Sequence, residues 1–223
     1  MLLLEQIIRV IAPHNCLGCG AEEDALLCDA CQQSLVTVPS RCYRCKAVTE
    51  NYAVCKACAP ATPLRHVMVY AHHADLVKEL IHHAKYERAQ SGLREMATLT
   101  ASLLDDFDDD IVLAYIPTAS SRVRMRGYDH ALLLARHLGR TRHVGVKRLL
   151  MRVGQAHQVG SGRTQRLRQI RGAFRAVHPE QIRGKHIVLV DDVLTSGATL
   201  ETAARTLKGA GAKRVSAIVF AQA

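Results

Sequence analysis

Two adjacent carboxylates and a run of small residues stand together near the C-terminus. The apolar stretch 187–190 is followed directly by Asp191 and Asp192, and a small-residue loop, 195–199, comes shortly after them. The stretch predicts a buried strand, and the loop predicts the start of a helix, whose unpaired N–H groups and dipole attract a phosphate. The two acids can accept hydrogen bonds from the vicinal hydroxyls of a ribose held on that phosphate. The segment therefore predicts a site for a phosphorylated sugar.

The loop supplies this site with both backbone and side-chain donors. Gly197 permits close approach of the backbone, and three of its neighbours carry hydroxyl groups. A helix cap alone would account for Thr195 but not for the whole pattern. The predicted phosphate contacts are Thr195, Ser196, Gly197, Ala198 and Thr199.

Eight cysteines near the N-terminus form four Cys-x2-Cys pairs, separated by 8, 10 and 9 residues. Such clustering favours a local metal site over a disulfide framework, and eight thiolates complete two tetrahedral zinc sites of four sulfurs each. Sequential pairing is the simplest, but a crossed arrangement would bind the same metals. Closed sulfur sites leave no open position for chemistry, so we predict structural zinc. The ligands are Cys16, Cys19, Cys28, Cys31, Cys42, Cys45, Cys55 and Cys58.

The rest of the chain alternates between strand-like and helix-like stretches. Strands are predicted at 66–71, 111–116, 187–190 and 215–220, with helices at 74–85, 93–104, 128–138 and 198–208. This alternation predicts an α/β fold with a parallel sheet flanked by helices. Prolines punctuate the join to the cysteine-rich part, so we expect an N-terminal helix and zinc-ribbon module over 1–62 and an α/β domain over 63–223.

Positive charge is concentrated in one half of the chain. Residues 122–214 carry 20 basic and 5 acidic side chains, a net charge of +15, whereas residues 1–63 carry 5 basic and 6 acidic ones. Two interpretations remain open: binding of small polyphosphates, and a nucleic-acid surface that neutralises backbone phosphates. With 3 Phe, 6 Tyr and no Trp, contact with nucleic acid should be mostly electrostatic. The candidate contacts are Arg124, Arg126, Arg163, Arg166, Arg168 and Arg171.

Two further segments lack the pattern of a buried element. The first thirteen residues predict a short amphipathic helix, because Glu5 and Arg9 interrupt the apolar run and no basic segment precedes it. The stretch 152–171 is rich in glycine and arginine and predicts a mobile loop.

No apolar run approaches the roughly 20 residues that span a bilayer, and metal-type cysteine spacing fits a reducing compartment, so we expect a cytoplasmic protein.

Four apolar residues, two acids, two further apolar residues and then Thr-Ser-Gly-x-Thr resemble the signature of type I phosphoribosyltransferases. The resemblance implies that the loop 195–199 binds the 5′-phosphate of phosphoribosyl diphosphate, that Asp191 and Asp192 contact its ribose, and that Mg²⁺ accompanies the diphosphate. It also implies that the loop after the strand at 111–116 grips the diphosphate, where arginines can clamp phosphate oxygens. The candidate donors in that loop are Ser120, Ser121 and Arg122.

A multi-cysteine ribbon joined to this segment resembles the ComF/GntX family of competence and DNA-utilisation proteins over nearly the full chain. Supporting stretches are 80–86, 116–118 together with 126–128, and 158–174. The chain departs from the family's pattern at Asp129-His130, where Asn-Gln is usual, and at Gln169, where Asn is usual. The family implies action on incoming single-stranded DNA during natural transformation, or use of DNA as a nutrient, with the DNA-uptake machinery at the inner membrane as a further partner.

Two functions follow from these resemblances. The first is a DNA-uptake protein that acts on single-stranded DNA and holds phosphoribosyl diphosphate or a related phosphosugar in a transferase-derived pocket. The alternative is an active phosphoribosyltransferase that transfers phosphoribose to a nitrogen nucleophile in nucleotide salvage. The sequence shows neither an acceptor site nor a general base, so turnover is left undecided.

Overall fold

The computed structural model describes residues 14–86, 90–107, 110–153 and 172–223. In chain order its strands are β1 (His14–Asn15), β2 (Glu22–Glu23), β3 (Val67–His72), β4 (Ile111–Tyr115), β5 (Val146–Lys147), β6 (Leu150–Arg152), β7 (Phe174–Ala176), β8 (His186–Leu194) and β9 (Arg214–Gln222). Its α-helices are α1 (Asp29–Gln33), α2 (Asp75–Tyr86), α3 (Gln90–Thr100), α4 (Ser120–Arg126), α5 (His130–Thr141) and α6 (Ala198–Gly209). Short 3-10 turns occupy Glu50–Tyr52, Ala59–Ala61, Ala101–Leu104 and Pro179–Gln181.

A five-stranded parallel sheet in the order β3-β9-β8-β4-β5 forms the centre of the molecule. Its inner strands are buried on both faces, which explains their nearly continuous apolar sequence. On one face, Val188 and Val190 pack with helices α2, α3 and α5. On the other face, Ile187 and Leu189 pack with α6. The sheet and flanking helices confirm the predicted α/β fold.

Strands β4 and β8 form a topological switch point. They are neighbours in the sheet, with Tyr115 opposite Val190, but the helices that follow them pack on opposite faces. The chain segments that follow the two strands therefore diverge and leave a crevice at their carboxyl ends. Ligands of open α/β sheets bind in such a crevice.

The cysteine-rich segment lies along the β3 edge of the sheet. Val38 N–H donates to the carbonyl of Tyr70 (2.9 Å), and Val54 N–H donates to that of Arg65 (2.9 Å). These bonds occupy backbone groups that an edge strand would otherwise present to other chains. The division at residue 62 stays a prediction, since side chains of the cysteine-rich segment join both hydrophobic cores.

Several element boundaries differ from those expected. The strand predicted to end at 190 continues to Leu194, so Asp191 and Asp192 lie inside β8 near its end. The helix predicted from 128 begins at His130, because the Asp129 side chain caps it by accepting from Leu132 N–H. Residues 120–122, predicted to lie in a loop, instead begin helix α4. The predicted helix at 1–13 and most of the predicted loop at 152–171 lie outside the described residues.

Within the described residues, no helix combines the length and apolar character needed to cross a membrane.

Candidate functional site

The crevice between β4 and β8 holds a cavity of about 380 Å³. Acidic and basic side chains face one another across it, and they come from elements far apart in the chain. Its lining is Lys85, Ile116, Pro117, Thr118, Ala119, Arg122, Arg126, His130, Arg152, Asp191, Asp192, Val193 and Thr199.

Asp192 is the centre of a buried polar network. Its Oδ2 forms an ion pair with Lys85 Nζ, at the end of α2, and lies 3.2 Å from His130 Nε2, at the start of α5. Arg126 Nη1 lies 3.1 Å from the other ring nitrogen, His130 Nδ1. Because a guanidinium only donates, Nδ1 accepts, and Nε2 then carries the proton that is donated to Asp192. Helices α2 and α5 thus converge on one carboxylate, and α4 contacts it indirectly through His130.

Two local features aim these side chains. Gly127 adopts a left-handed conformation (φ 85°) and ends α4 directly after Arg126. Helix α5 then begins at His130, so Arg126 and His130 both reach the cavity. The hydroxyl of Tyr128 donates to the carbonyl of Ala84 (2.6 Å), which fixes the end of α2 next to Lys85.

The two acids differ in their protonation. Burial and then the charge of Asp192 raise the pKa of Asp191 well above its usual range. Burial also acts to raise the pKa of Asp192, but the hydrogen bond from His130 and the charge of Lys85 outweigh it and hold that pKa far below its usual range. The cavity therefore offers one firmly ionised carboxylate beside one that retains a proton more readily.

A cationic wall faces the acids. Arg126 is 8% exposed, its Nε has no hydrogen-bond partner among the described residues, and its Cζ lies 5.2 Å from the ring centroid of Tyr86. Arg152 donates to the carbonyl of Pro117 (3.2 Å). Burial and the nearby charge of Arg122 lower the pKa of Arg152. Neighbouring guanidinium groups that repel one another across a cavity are stabilised by a polyanion placed between them.

The loop 195–199, called the phosphate loop from here on, follows β8 directly. Gly197 occupies the N-cap of α6 with φ 78°, a conformation that glycine adopts without strain. Ser196 Oγ accepts from Ala198 N–H (3.4 Å), and Thr199 lines the cavity. The first turn of a twelve-residue helix thus opens beside the two acids.

The structure brings together some of the predicted phosphosugar contacts and separates others. Asp191, Asp192, Thr199 and Arg122 line one cavity. Thr195 and Ser196 are exposed next to it, Gly197 is buried and Ala198 is half-buried. Ser120 and Ser121 are exposed on α4 and do not line the cavity. Their roles stay predictions.

Two of the predicted nucleic-acid contacts are described, and they occupy different surroundings. Arg124 is exposed on α4, whereas Arg126 is buried in the cavity wall. The remaining four, Arg163, Arg166, Arg168 and Arg171, lie outside the described residues.

Sequence reasoning did not assign Lys85, His130 and Arg152 to the site. Lys85 lies in the stretch 80–86, and His130 replaces a residue that is usually Gln, so the family resemblance held a signal for both. Arg152 carried no such signal.

The eight cysteines form two tetrads, paired sequentially. The first tetrad is Cys16, Cys19, Cys28 and Cys31, the second is Cys42, Cys45, Cys55 and Cys58, and within each the sulfurs lie within 4.8 Å of one another. The Cys19–Cys28 and Cys45–Cys55 sulfur separations are 3.7 and 3.5 Å. A tetrahedral zinc site with Zn–S of about 2.3 Å has sulfurs about 3.8 Å apart, so both tetrads fit zinc.

The first cysteine of each tetrad has a thiol pKa below its ordinary value. Burial acts to raise the pKa of Cys16 and of Cys42, but backbone N–H groups directed at each sulfur lower both pKa values to about 6. Because the thiolate is the form that binds zinc, these backbone donors favour the metal-bound state.

Comparison with known sequences agrees with both parts of this description. The model of the double zinc ribbon domain matches residues 7–59, and that of the phosphoribosyl transferase domain matches residues 123–223. The sheet, the crevice and the phosphate loop accordingly define a phosphoribosyltransferase-type domain preceded by two zinc ribbons.

Three curated relatives combine similarity with high coverage. The chain is 28% identical to the competence protein ComFC of Bacillus subtilis, covering 82% of this chain and 78% of that protein. It is 27% identical to the DNA utilization protein YhgH of Escherichia coli (85% and 87%) and 26% identical to competence protein F of Haemophilus influenzae (88% and 90%). The chain is thus similar over most of its length to competence and DNA-utilisation proteins, as the resemblance to the ComF/GntX family predicts.

Among solved structures, the chain is similar to the allosteric regulatory enzyme of purine biosynthesis, at 16% identity and a TM-score of 0.45, covering 63% of this chain and 30% of that one. A hypoxanthine phosphoribosyltransferase from Staphylococcus aureus has 14% identity and a TM-score of 0.35, covering 59% and 63%.

Proposed function

We propose that this chain binds phosphoribosyl diphosphate, or a related phosphosugar, with Mg²⁺ in the crevice between β4 and β8, and that it acts on incoming single-stranded DNA in the cytoplasm during natural transformation. The observation that carries the pocket is the cavity in which Asp191, Asp192 and Thr199 face three arginines. The family relationship to competence and DNA-utilisation proteins supports the DNA role.

The charges that line the cavity support this ligand. A phosphoribosyl diphosphate has an anionic group at each end of a ribose, and the lining combines the two acids with Thr199 of the phosphate loop and the arginines of the cationic wall. The 5′-phosphate would contact N–H groups at the start of α6, and the ribose hydroxyls would donate to Asp191 and Asp192. The diphosphate would contact Arg122, Arg126 and Arg152.

Magnesium fits the acidic part of this arrangement. Ligand atoms of His130, Asp191 and Asp192 lie within 4.8 Å of one another. Mg²⁺ prefers carboxylate and phosphate oxygens and retains several waters, so the acids would bind it together with the diphosphate rather than alone. Its charge would also favour ionisation of Asp191.

The pocket is tested by replacing both acids. We expect the Asp191→Asn/Asp192→Asn variant to bind phosphoribosyl diphosphate with Mg²⁺ about a hundredfold more weakly in calorimetry, the loss of two hydrogen bonds to charged groups. Asp110→Asn is the matched control, because Asp110 pairs with Lys185 at the opposite end of β8. Wild-type affinity in the double variant would remove the acids from the site.

A strongly positive surface supports the DNA role. The region 122–214 has a net charge of +15, and Arg124 is exposed on α4, next to the helix turn that lines the cavity. Neutralising phosphates with arginine releases counterions and drives binding at low salt. Cytoplasmic location, with contact to the uptake machinery at the inner membrane, belongs to the same proposal.

The DNA contact is tested by salt dependence. Replacing Arg124 with Ala should lower the slope of log affinity against log salt by about 0.7 for an oligo-dT strand. Arg140→Ala is the control, because Arg140 is exposed near the far end of α5, about 15 Å along the helix from the cavity. An unchanged slope for Arg124→Ala would exclude this surface.

The cationic wall also favours a second function, transfer of the phosphoribosyl group to a nitrogen nucleophile. In that reaction the C1–O bond to diphosphate breaks, a C1–N bond forms, the nitrogen releases its proton to solvent, and the arginines stabilise the departing diphosphate anion. Diphosphate release that depends on an added amine or nucleobase would establish a transferase. Saturable ligand binding without such release would favour a binding role alone.

A further inference from the structure

We propose that Tyr43 and Arg44, the two residues between the zinc ligands Cys42 and Cys45, position the phosphate loop, so that the second zinc ribbon is part of the phosphosugar site. This inference rests on the proposed function, since it assigns a role in binding the same ligand. It goes beyond that function because it makes one zinc site, and not the other, a requirement for binding at the 5′-phosphate end.

The ring of Tyr43 lies against the phosphate loop. A Cβ atom added to Gly197 would lie 2.8 Å from Tyr43 Cε2 and 3.3 Å from Cδ2, so the ring and the loop backbone are in direct contact. Tyr43 is 5% exposed and packs in the same core as Leu194 and Leu200, which flank the loop. The ring thus packs against the loop, and Tyr43 is not among the residues that line the cavity.

The polar end of Tyr43 is fixed to helix α6. Its hydroxyl lies 2.7 Å from Glu201 Oε1 and 2.8 Å from Thr62 Oγ1. Glu201 is in the first turn of α6, and its N–H donates to the carbonyl of Gly197 (2.9 Å). The side chain of Tyr43 therefore spans from the phosphate loop to the helix turn that the loop begins.

Arg44 holds the same helix turn. Its Nη1 lies 2.7 Å from Glu201 Oε1 and 3.2 Å from the carbonyl of Ala61. Arg205, one helical turn further along α6, reaches the other oxygen of Glu201 at 2.9 Å. Glu201 is thereby shared between the ribbon and the helix, with its side chain 15% exposed.

The zinc ligands fix where these two side chains begin. Cys42 is fully buried, and the turn that follows it is closed by Lys46 N–H donating to the Cys42 carbonyl (2.9 Å). With zinc bound, both ends of the four-residue knuckle 42–45 are anchored, and Tyr43 and Arg44 have little freedom. Loss of zinc would release the knuckle and with it the support of the loop.

This geometry predicts an effect on one end of the ligand only. The phosphate loop contacts the 5′-phosphate, whereas the diphosphate faces Arg122, Arg126 and Arg152, which Tyr43 does not touch in the described contacts. Damage to Tyr43 should therefore weaken ribose 5-phosphate and leave inorganic diphosphate unaffected. A general loss of folding would weaken both.

The test uses the full chain with zinc bound and measures ribose 5-phosphate and inorganic diphosphate by ligand-observed NMR. We expect Tyr43→Ala to weaken ribose 5-phosphate binding by about tenfold or more, and Tyr43→Phe, which keeps the ring contact, by about threefold. Both variants should bind diphosphate as the wild type does. Gln32→Ala is the matched control, because Gln32 attaches the first ribbon to Glu95 of α3 (3.1 Å).

The outcomes separate the two proposals. Equal weakening of both probes by Tyr43→Ala, or unchanged ribose 5-phosphate binding, would overturn the positioning role. Equal loss in Gln32→Ala and Tyr43→Phe would also overturn it, because either ribbon would then matter to the same degree. If the wild type binds neither probe nor phosphoribosyl diphosphate, the proposed pocket itself fails.

Discussion

The two zinc ribbons have nearly the same sequence pattern and very different neighbours. Each tetrad has two Cys-x2-Cys pairs, separated by 8 residues in the first and 9 in the second, and in each the first cysteine is buried and the second exposed. The first ribbon contributes Leu26 and Leu27 to the core beneath α2 and α3. The second places Tyr43 against the phosphate loop on the opposite face of the sheet.

This difference shows that a repeated metal motif need not have a repeated role. Both ribbons attach to the domain through a glutamate on a helix: Gln32 donates to Glu95 of α3, while Tyr43 and Arg44 contact Glu201 of α6. Of these two helices, α6 begins at the proposed ligand site. We therefore expect the first ribbon to stabilise the fold, and the second to stabilise the fold and also to affect ligand binding in the pocket.

The largest expected effect comes from removing one ligand of each tetrad. Cys19→Ser and Cys45→Ser replace equivalent exposed cysteines, and each should lower the zinc content from about two to about one per chain. Cys45→Ser should reduce ribose 5-phosphate affinity by more than about tenfold, since the knuckle no longer fixes Tyr43. The loss in Cys19→Ser should be much smaller. Metal analysis measures the zinc content of both variants, and NMR titration measures their ribose 5-phosphate affinity. Equal losses of affinity would show that the two ribbons do not differ in their effect on the ligand site.

An intermediate effect is expected at the two docking glutamates. Glu201→Gln leaves Arg44 and Arg205 without their charged partner, so the free energy of unfolding should fall by about 2 kcal/mol, as for the loss of a partly buried charge pair. Glu95→Gln keeps an acceptor for Gln32 and should change it by less than about 0.5 kcal/mol. Urea denaturation at neutral pH measures both. A larger loss of unfolding free energy for Glu95→Gln than for Glu201→Gln would show that the first ribbon, and not the second, depends more on its glutamate.

The smallest effect is a pH dependence at the first ribbon. Burial and then the charge of Cys16 raise the pKa of Glu95 above its ordinary value of 4.5. A raised pKa of an acid contributes stability that is present below the unfolded-state pKa and is lost as pH rises through the folded-state pKa. Relative to the wild type, Glu95→Gln should therefore gain about 2 °C in Tm between pH 4.5 and pH 7. A constant difference across that range would show that Glu95 has an ordinary pKa.

The fold and the contiguous part of the site follow from local sequence. Residues 187–199 form one strand, two acids and one loop in unbroken order. Because these residues are adjacent in the chain, their closeness in the site can be predicted without any tertiary contact. The cysteine pairs are equally local. In both cases the spacing of residue types along the chain reports directly on their spacing in the folded molecule.

The remaining parts of the site depend on tertiary structure. Lys85 and His130 reach Asp192 only because α2 and α5 pack on the same face of the sheet. The contact between Tyr43 and Glu201 joins residues 158 positions apart. Helix α4 was missed because its seven residues include three arginines and lack apolar periodicity. Such arrangements leave no periodic signal for sequence reasoning to detect.

Hydrogen exchange with and without phosphoribosyl diphosphate and Mg²⁺ tests most directly whether the second ribbon is part of the ligand site, because one measurement reports on the pocket and on both ribbons. We predict slower exchange at residues 191–201 and at 42–45 in the presence of ligand, with no change at 16–31. Equal protection of both ribbons, or no protection at 191–201, would contradict the role of the second ribbon in the ligand site.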